Sequence, residues 1–276
     1  MEGAAMADEF QLASYLTRIA YRGPLAPDLP TLAALQAAHV DALPFEALDP
    51  LMGRPVHVDL PSVQQKLVHS RRGGYCFEQN VLFQAALEAI GFKVTGLTGR
   101  VRWRSQPTDP LGPRQHMMLL VEVDGQPHLV DVGFGICMMD GPVRLEVGPE
   151  QPTPMGTFRI GTWDGLYTIS AKQPTGWRMM YAFDLAPQIH ADYVLGSWYT
   201  STNANVPATH TLMMERVEPT VRHKLVSRRY QRQARDGEVI EERIIASAEE
   251  LGQLIDEIFR VMPPVPAEQI WARTTN

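Results

Sequence analysis

Residues 76–103 read CFEQNVLFQAALEAIGFKVTGLTGRVRW, and the character of the chain changes within this stretch. Its first part, residues 76–90, has the amphipathic pattern of a helix, and Gly91 stands where a left-handed residue ends many helices. From residue 92 onward, β-branched and large apolar side chains predominate, which is typical of a strand. The stretch therefore predicts a helix that is followed at once by β-structure.

The helical character extends upstream of this stretch and the strand character extends downstream. Residues 10–21 form a helical pattern, and Thr31 is predicted to cap a second helix. Ser62 and Gln65 form the capping box of a third. Strand patterns then continue from the stretch to about residue 185.

The last part of the chain mixes strands and a helix. Strands are predicted over residues 225–234 and 238–246, on either side of an Asp236-Gly237 turn. Ser247 then opens the capping box of a C-terminal helix. Helices, a β-rich middle and a mixed end in this order favour an α+β protein over a doubly wound parallel sheet. The common nucleotide-binding motifs GxGxxG and GxxxxGK[ST] are missing from the sequence.

The composition of the 276 residues fits a globular protein. Hydrophobic residues make up 45% and charged residues 20%, which is enough apolar material for a folded core. The formal charge of −6 argues against a nucleic-acid-binding protein, for which a basic surface is expected. Because the sequence has no signal-peptide pattern and no membrane-length apolar run, we expect a cytoplasmic protein whose two cysteines, Cys76 and Cys137, are free thiols.

The segment SRRGGYCFEQN, residues 70–80, holds the strongest candidate for chemistry. Its two glycines permit a tight turn, and Cys76 follows in the first turn of the predicted helix. Unpaired backbone N–H groups and the helix dipole favour a thiolate there, and the same groups could hold an oxyanion. Cys76 is therefore a candidate nucleophile. The alternative is a buried structural cysteine at a loop–helix junction.

A thiolate nucleophile needs a base, and one of the eight histidines stands out. If Asp124-Gly125 is a two-residue hairpin turn, residues paired across the hairpin have numbers that sum to 249. His116 and Asp131 then lie on the same face, where the carboxylate could orient the imidazole. A three-residue loop would place Asp131 on the other face. With the shorter turn, Cys76, His116 and Asp131 form a predicted triad for acyl transfer through a thioester.

Three segments, RRGGYCFEQN, PRQHMMLLVEV and LVDVGFG, resemble the triad segments of the arylamine N-acetyltransferases. The likeness runs from about residue 10 to beyond residue 200 and is weaker towards the C-terminus. It implies a helical bundle over residues 1–91, a β-barrel over 92–200 and an α/β lid over 201–276. The Cys-His-Asp site is expected between the first two.

The resemblance also implies an activity and a set of site residues. Members of the family move an acetyl group from acetyl-CoA to arylamines, arylhydrazines or N-hydroxyarylamines. The family's nucleophile, histidine and aspartate correspond to Cys76, His116 and Asp131. We predict that three further residues line the substrate site: Phe134, which matches the family's pocket aromatic, Gly135 and Phe45.

Acetyl-CoA is expected as a substrate and not as a permanently bound cofactor. No metal, nucleic acid or membrane is expected as a partner, and the oligomeric state is left open. Two departures limit what the resemblance implies, the first about a polar contact of the family's asparagine and the second about the acyl-donor side. Ala47 stands where the family usually has asparagine in PFENL, and the segment after residue 203 lacks the usual proline, serine and aromatic. CoA contacts are therefore not carried over.

Several other residues allow two interpretations. Cys137 could line the site, although we favour a packing thiol. Arg72 and Glu46 could form a buried ion pair behind the nucleophile or remain two solvated charges. Five basic residues could attract CoA phosphates or simply form a solvated strand face, which we favour: Arg222, Lys224, Arg228, Arg229 and Arg232.

Two other functions fit the same sequence. Thiol hydrolases and transglutaminase-like enzymes use cysteine, histidine and aspartate in this chain order. A binding module could keep the fold without catalysis, although the intact set of three residues argues against it.

Overall fold

The computed structural model describes residues 10–274 apart from residues 107, 136 and 235, and it has the expected α+β architecture. Eight α-helices are found in these residues: α1 Leu12–Arg18, α2 Leu29–Ala42, α3 Leu48–Leu51, α4 Leu60–Gln64, α5 Cys76–Ile90, α6 His190–Thr202, α7 Ala248–Gln253 and α8 Ala267–Trp271. Single π-helical segments, Gln65–His69 and Leu254–Ile258, continue α4 and α7. Among the described helices, none is long and apolar enough to cross a membrane.

Thirteen strands are found in the same residues. They are β1 Phe45–Glu46, β2 Lys93–Val101, β3 His116–Val123, β4 Gln126–Val130, β5 Val143–Arg144, β6 Gln151–Thr153, β7 Gly156–Trp163, β8 Leu166–Gln173, β9 Gly176–Phe183, β10 Met213–Val217, β11 Val221–Val226, β12 Arg229–Ala234 and β13 Val239–Ile244.

The N-terminal part is helical, and α5 is its central element. The predicted end of α5 is confirmed, since Gly91 adopts a left-handed φ of +104°. The predicted starts of two earlier helices were wrong. Asp28 caps α2 by accepting a hydrogen bond from the Thr31 amide, and Asp59 caps α4 in the same way. Both helices have a proline in the first turn and begin earlier than predicted, directly after the aspartate. Proline suits this position because no N–H donor is needed there.

Eight strands form an antiparallel sheet in the order β5-β4-β3-β2-β9-β8-β7-β6. Val147, which follows β5, bridges to Ile160 of β7, and this contact brings the two ends of the sheet together into a nearly closed barrel. Apolar side chains such as Phe158 and Ile169 fill its interior. Helix α5 packs against β2 and β3, which places the helical part beside the barrel.

The hairpin between β3 and β4 has the predicted register. Asp124 and Gly125 both adopt positive φ, +51° and +72°, as a two-residue hairpin turn requires. The paired residues run from Leu119 with Val130 to Val123 with Gln126, so their numbers sum to 249 as predicted. The side chains of both strands therefore project on the expected faces.

The C-terminal part contains a second antiparallel sheet, ordered β1-β10-β11-β12-β13. The prediction of one continuous strand over 225–234 was wrong, because the chain reverses at Ser227 and Arg228. Ser227 adopts a φ of +53°, and the residues beside it include no glycine, proline, asparagine or aspartate that would have marked the turn strongly. Strand β1 comes from the N-terminal part and pairs with β10. The division at residues 91 and 200 stays a prediction.

Candidate active site

Cys76 is the first residue of α5 and is nearly buried, with 6% of its surface exposed. The loop before it approaches other groups closely. A Cβ at Gly73 would lie 2.1 Å from the Pro44 carbonyl oxygen, so only glycine fits. Tyr75 is the N-cap, and its amide donates to the Glu78 carboxylate. The thiol therefore sits in the first turn of a 15-residue helix, where the helix dipole favours negative charge.

His116 and Asp131 form a buried pair. His116 donates from Nε2 to Oδ2 of Asp131 over 2.6 Å, and Asp131 is completely buried. Burial opposes the charged imidazole, but the carboxylate of Asp131 and the neighbouring Cys76 outweigh it and raise the pKa of His116 to about 10. Since Nε2 is bonded to Asp131, Nδ1 is the ring nitrogen left for the thiol.

Asp131 is held as a carboxylate by several groups. Burial would raise its pKa, but the charge of His116 and hydrogen bonds lower it below the ordinary value. One of these bonds comes from the Gly133 amide, 2.9 Å from Oδ1. Cys76 interacts with the imidazole of His116, whose Nε2 is bonded to the carboxylate of Asp131, and a thiol, an imidazole and a carboxylate connected in this order can support nucleophilic catalysis.

Asn80 connects this arrangement to the nucleophile helix, and the sequence analysis missed it. Its buried Nδ2 lies 3.1 Å from Oδ1 of Asp131, 3.1 Å from the Cys76 carbonyl oxygen and 2.9 Å from the Met117 carbonyl oxygen. Its Oδ1 accepts from the Val132 amide. The spacing of Cys76 and Asn80 could have predicted this contact, because residues four apart lie on the same face of a helix.

Tyr181 is a second residue that the sequence analysis missed. Its ring centroid lies 4.7 Å from that of His116, and the ring is fully buried. Burial and the nearby charge of Asp131 raise the pKa of Tyr181 well above 10. Tyr181 comes from β9, which pairs with β2 and not with the hairpin, so local sequence patterns could not place it here.

A cavity of about 280 Å³ opens onto Cys76 and His116. The three residues predicted to line the substrate site all line this cavity, namely Phe45, Phe134 and Gly135, and their contact with substrate stays a prediction. A Cβ added to Gly135 would lie 2.1 Å from the ring of Phe45, so a larger residue at position 135 would displace that ring. Phe134 meets the His116 ring edge-on at 5.1 Å. The cavity is thus lined by aromatic side chains and by the thiol-bearing Cys76.

Charged residues form a buried network behind the nucleophile. Arg72 Nη2 lies 2.7 Å from Glu46 and 2.9 Å from Asp49, and Lys66 links Asp49 to Glu78 at 2.7 Å each. Arg72 and Glu46 therefore form a buried ion pair and are not two solvated charges. The network anchors the loop that carries the two glycines before Cys76.

Cys137 and the five basic residues considered in the sequence analysis are not among the residues that line the catalytic cavity. Cys137 is buried and packs beside Arg222, 3.6 Å away, and it does not line the cavity. Arg229 and Arg232 pair with carboxylates of β13. Arg228 lies over the Trp271 ring. These basic residues therefore do not share one open face. Within the described residues, no group of three or more His, Cys, Asp and Glu side chains could hold a metal ion.

Comparison with known proteins agrees with this geometry. The N-acetyltransferase family model matches residues 28–264. An arylamine N-acetyltransferase of Mycolicibacterium smegmatis is 43% identical over 202 residues, covering 72% of each chain. The "Arylamine N-acetyltransferase / N-hydroxyarylamine O-acetyltransferase" of Salmonella typhimurium is 34% identical over 248 residues, 90% of this chain and 88% of that one.

The structural comparison covers almost the whole chain. The Mycobacterium marinum arylamine N-acetyltransferase in complex with CoA superposes with a TM-score of 0.90 at 33% identity, covering 95% of this chain and 98% of that one. The helical part, the barrel and the second sheet are therefore matched together. With a family model over most of its length and relatives of this similarity, the chain belongs to the arylamine N-acetyltransferase family.

Proposed function

We propose that this acetyltransferase carries acetyl groups from acetyl-CoA to arylamines through a thioester on Cys76, with His116 as the acid–base group and Asp131 as its orienter. The observation that supports this most strongly is the buried His116–Asp131 pair beside a thiol at a helix N-terminus. The family membership explains the donor, and these residues account for the chemistry.

In the first half-reaction Cys76 takes the acetyl group. The thiol proton passes to Nδ1 of His116, and the sulfur attacks the thioester carbonyl of acetyl-CoA. The bond from the carbonyl carbon to the sulfur of Cys76 forms, and the bond to the CoA sulfur breaks. The departing CoA thiolate takes the proton from His116. Asp131 keeps the imidazolium stable and correctly oriented while it carries that proton.

In the second half-reaction an amine removes the acetyl group. Its aromatic ring would lie against Phe45 and Phe134, with the amino group directed at the thioester on Cys76. His116 accepts the amine proton as the new carbon–nitrogen bond forms and returns it to the Cys76 sulfur. The apolar walls keep water from the thioester, which favours transfer over hydrolysis.

The acceptor class is proposed to include arylhydrazines and N-hydroxyarylamines as well as arylamines. The name of the Salmonella typhimurium relative includes both N- and O-acetyl transfer, and an open aromatic cavity suits each of these planar molecules. We further propose that the protein works in the cytoplasm, where acetyl-CoA is made and consumed.

Intact-protein mass measurement after incubation with acetyl-CoA tests the proposal. One acetyl group should appear without any amine, map to the peptide of Cys76, and be discharged faster by an arylamine than by water. Cys137→Ser serves as the matched control and should label normally, whereas Cys76→Ser should not label.

Each rival function gives a different result. A hydrolase would lose the label to water regardless of amine, and a transglutaminase-like enzyme would ignore acetyl-CoA. A binding module would never acquire a label. An adduct confined to Cys137 would also overturn the proposal.

A further inference from the structure

Gln79 lies in the nucleophile helix α5 and is completely buried. Its amide nitrogen Nε2 lies 3.0 Å from the carbonyl oxygen of Pro44 and 3.3 Å from that of Gly74, and the carbonyl oxygen of Leu43 is 3.5 Å away. Pro44 directly precedes Phe45, which lines the catalytic cavity, and Gly74 belongs to the loop before the nucleophile. One buried amide therefore connects a wall of the cavity to the nucleophile loop.

The orientation of this amide is fixed by two further buried side chains, those of His39 and Tyr15. Oε1 of Gln79 lies 2.9 Å from Nε2 of His39, and the Tyr15 hydroxyl lies 2.9 Å from Nδ1 of the same ring. Backbone carbonyls only accept, so the NH₂ group of Gln79 must face them and its oxygen must accept from Nε2 of His39. Nδ1 then accepts from Tyr15. Because burial lowers the pKa of His39 to about 3, the ring is neutral at pH 7 and keeps this tautomer.

The two nearer carbonyl groups depend on Gln79 to different extents. The Gly74 oxygen also accepts from the Glu46 amide over 3.1 Å. Within the described residues, the other hydrogen bond to the Pro44 oxygen comes from the Gly74 amide at 3.4 Å, which is long for such a bond. Without Gln79 the nucleophile loop would therefore keep a good hydrogen bond, whereas the buried Pro44 carbonyl would lose its better one.

Cys76 is held by contacts that do not involve Gln79. It belongs to the regular helix α5, and Asn80 donates to its carbonyl oxygen over 3.1 Å. Phe45 is less constrained, because its strand β1 has only two residues, which pair with β10 on one side and bridge to the nucleophile loop on the other. Loss of the Gln79 amide would therefore move the aromatic wall of the cavity more than it moves the thiol.

We propose that Gln79 is a positioning residue for the second half-reaction, which keeps the Phe45 wall in place relative to Cys76 so that the amino group of an aromatic acceptor meets the thioester carbon. The proposal rests on the proposed function, because it takes Phe45 as a contact of the acceptor ring. Misplacing a reacting group by about 1 Å can slow a reaction about a hundredfold. A partial shift of the wall should therefore slow transfer to aromatic acceptors about tenfold and leave steps without an aromatic ring unaffected.

The rates of the separate steps in Gln79→Met test this role, since methionine has a similar length and no amide. Intact-protein mass follows three rates: acetylation of Cys76 by acetyl-CoA, and discharge of the acetylated protein by aniline or by hydroxylamine. We expect discharge by aniline to slow about tenfold, while acetylation and discharge by hydroxylamine, which has no ring to position, stay within about twofold of wild type.

Gln64→Met is the matched control. Gln64 is another buried glutamine, which accepts from the Gln11 amide and does not line the cavity. All three rates should stay within about twofold of wild type in this variant, because no group at the site moves. The comparison separates the loss of a positioning amide from the general cost of replacing a buried glutamine by methionine.

A second substitution tests whether Gln79 acts through Phe45. In a Phe45→Leu background, Gln79→Met should slow discharge by aniline less than about twofold, because the ring that Gln79 positions is gone. A full and independent loss of about tenfold in that background would overturn the proposal. Equal slowing of all three steps in Gln79→Met, or an unchanged rate with aniline, would overturn it as well.

His39→Leu keeps the test decisive if Gln79→Met does not fold. It removes the hydrogen bond that orients the Gln79 amide, so discharge by aniline should slow about threefold with the other two rates unchanged. An unchanged rate with aniline in folded His39→Leu protein would contradict the proposal. Failure of the proposed function has a separate signature, since wild-type Cys76 would then take up no acetyl group from acetyl-CoA, and the role of Gln79 would fall with it.

Discussion

Replacing Asp131 by asparagine removes one charge from the site and changes almost no volume. The oxygen of the new side chain would still accept hydrogen bonds from the Gly133 amide and from Asn80, as Asp131 Oδ1 does. Its amide nitrogen, however, would then face His116 Nε2, which must become an acceptor. The imidazole proton moves to Nδ1, so the nitrogen that faces Cys76 can no longer take the thiol proton.

The magnitude follows from the pKa of His116. The rise from 6.5 to about 10 favours the imidazolium by about 5 kcal/mol, and the charge of Asp131 is the largest contribution in that direction. Without that charge, burial, which lowers the pKa of His116, is opposed only by the neighbouring Cys76, so the imidazolium is much less favoured. By analogy with other triads, acetylation of Cys76 should slow by about 10³- to 10⁴-fold.

The assay is single-turnover acetylation of Cys76 by acetyl-CoA, followed by mass measurement, with circular dichroism to confirm folding. Asp140→Asn is the matched control, because Asp140 is also a buried barrel carboxylate, one that accepts from the Met155 amide outside the site. The control should retain acetylation. If folded Asp131→Asn protein acetylates at a near-native rate, Asp131 is structural and the proposed orienting role is refuted.

Three further predictions concern selectivity and stability. Phe134→Ser should alter the ranking of aromatic acceptors far more than the rate of Cys76 acetylation; unchanged ranking with a lower melting temperature would make Phe134 a packing residue only. Arg72→Met leaves Glu46 buried without its partner and should lower the free energy of unfolding by about 3–5 kcal/mol, or the melting temperature by roughly 10 °C. The control is Lys93→Met, which breaks an exposed ion pair and should change the melting temperature little. Burial lowers the pKa of His39 to about 3, so below pH 6.5 the unfolded chain binds a proton at this residue that the folded chain does not. The contribution of His39 to stability should therefore fall by about 2 kcal/mol between pH 7 and 5, and the stability of His39→Gln, measured by urea unfolding, should drop less over this range than that of the wild type. An equal slope in both proteins would contradict this assignment.

Local patterns in the sequence were sufficient for much of the site. The helix that starts at Cys76 and ends before Gly91 follows from periodicity and one glycine. The pairing of His116 with Asp131 follows from a two-residue turn and the alternation of side chains along strands, both of which depend on neighbouring residues only. Such features are predictable because their energetics are contained in a few consecutive residues.

Tertiary structure decided everything that depends on contact between distant segments. Tyr181 reaches His116 because β9 pairs with β2, and Asn80 reaches Asp131 because α5 packs on the barrel. Whether Arg72 is solvated or buried depends on where Glu46 and Asp49 are placed, since a charge is stable inside only when partners arrive with it.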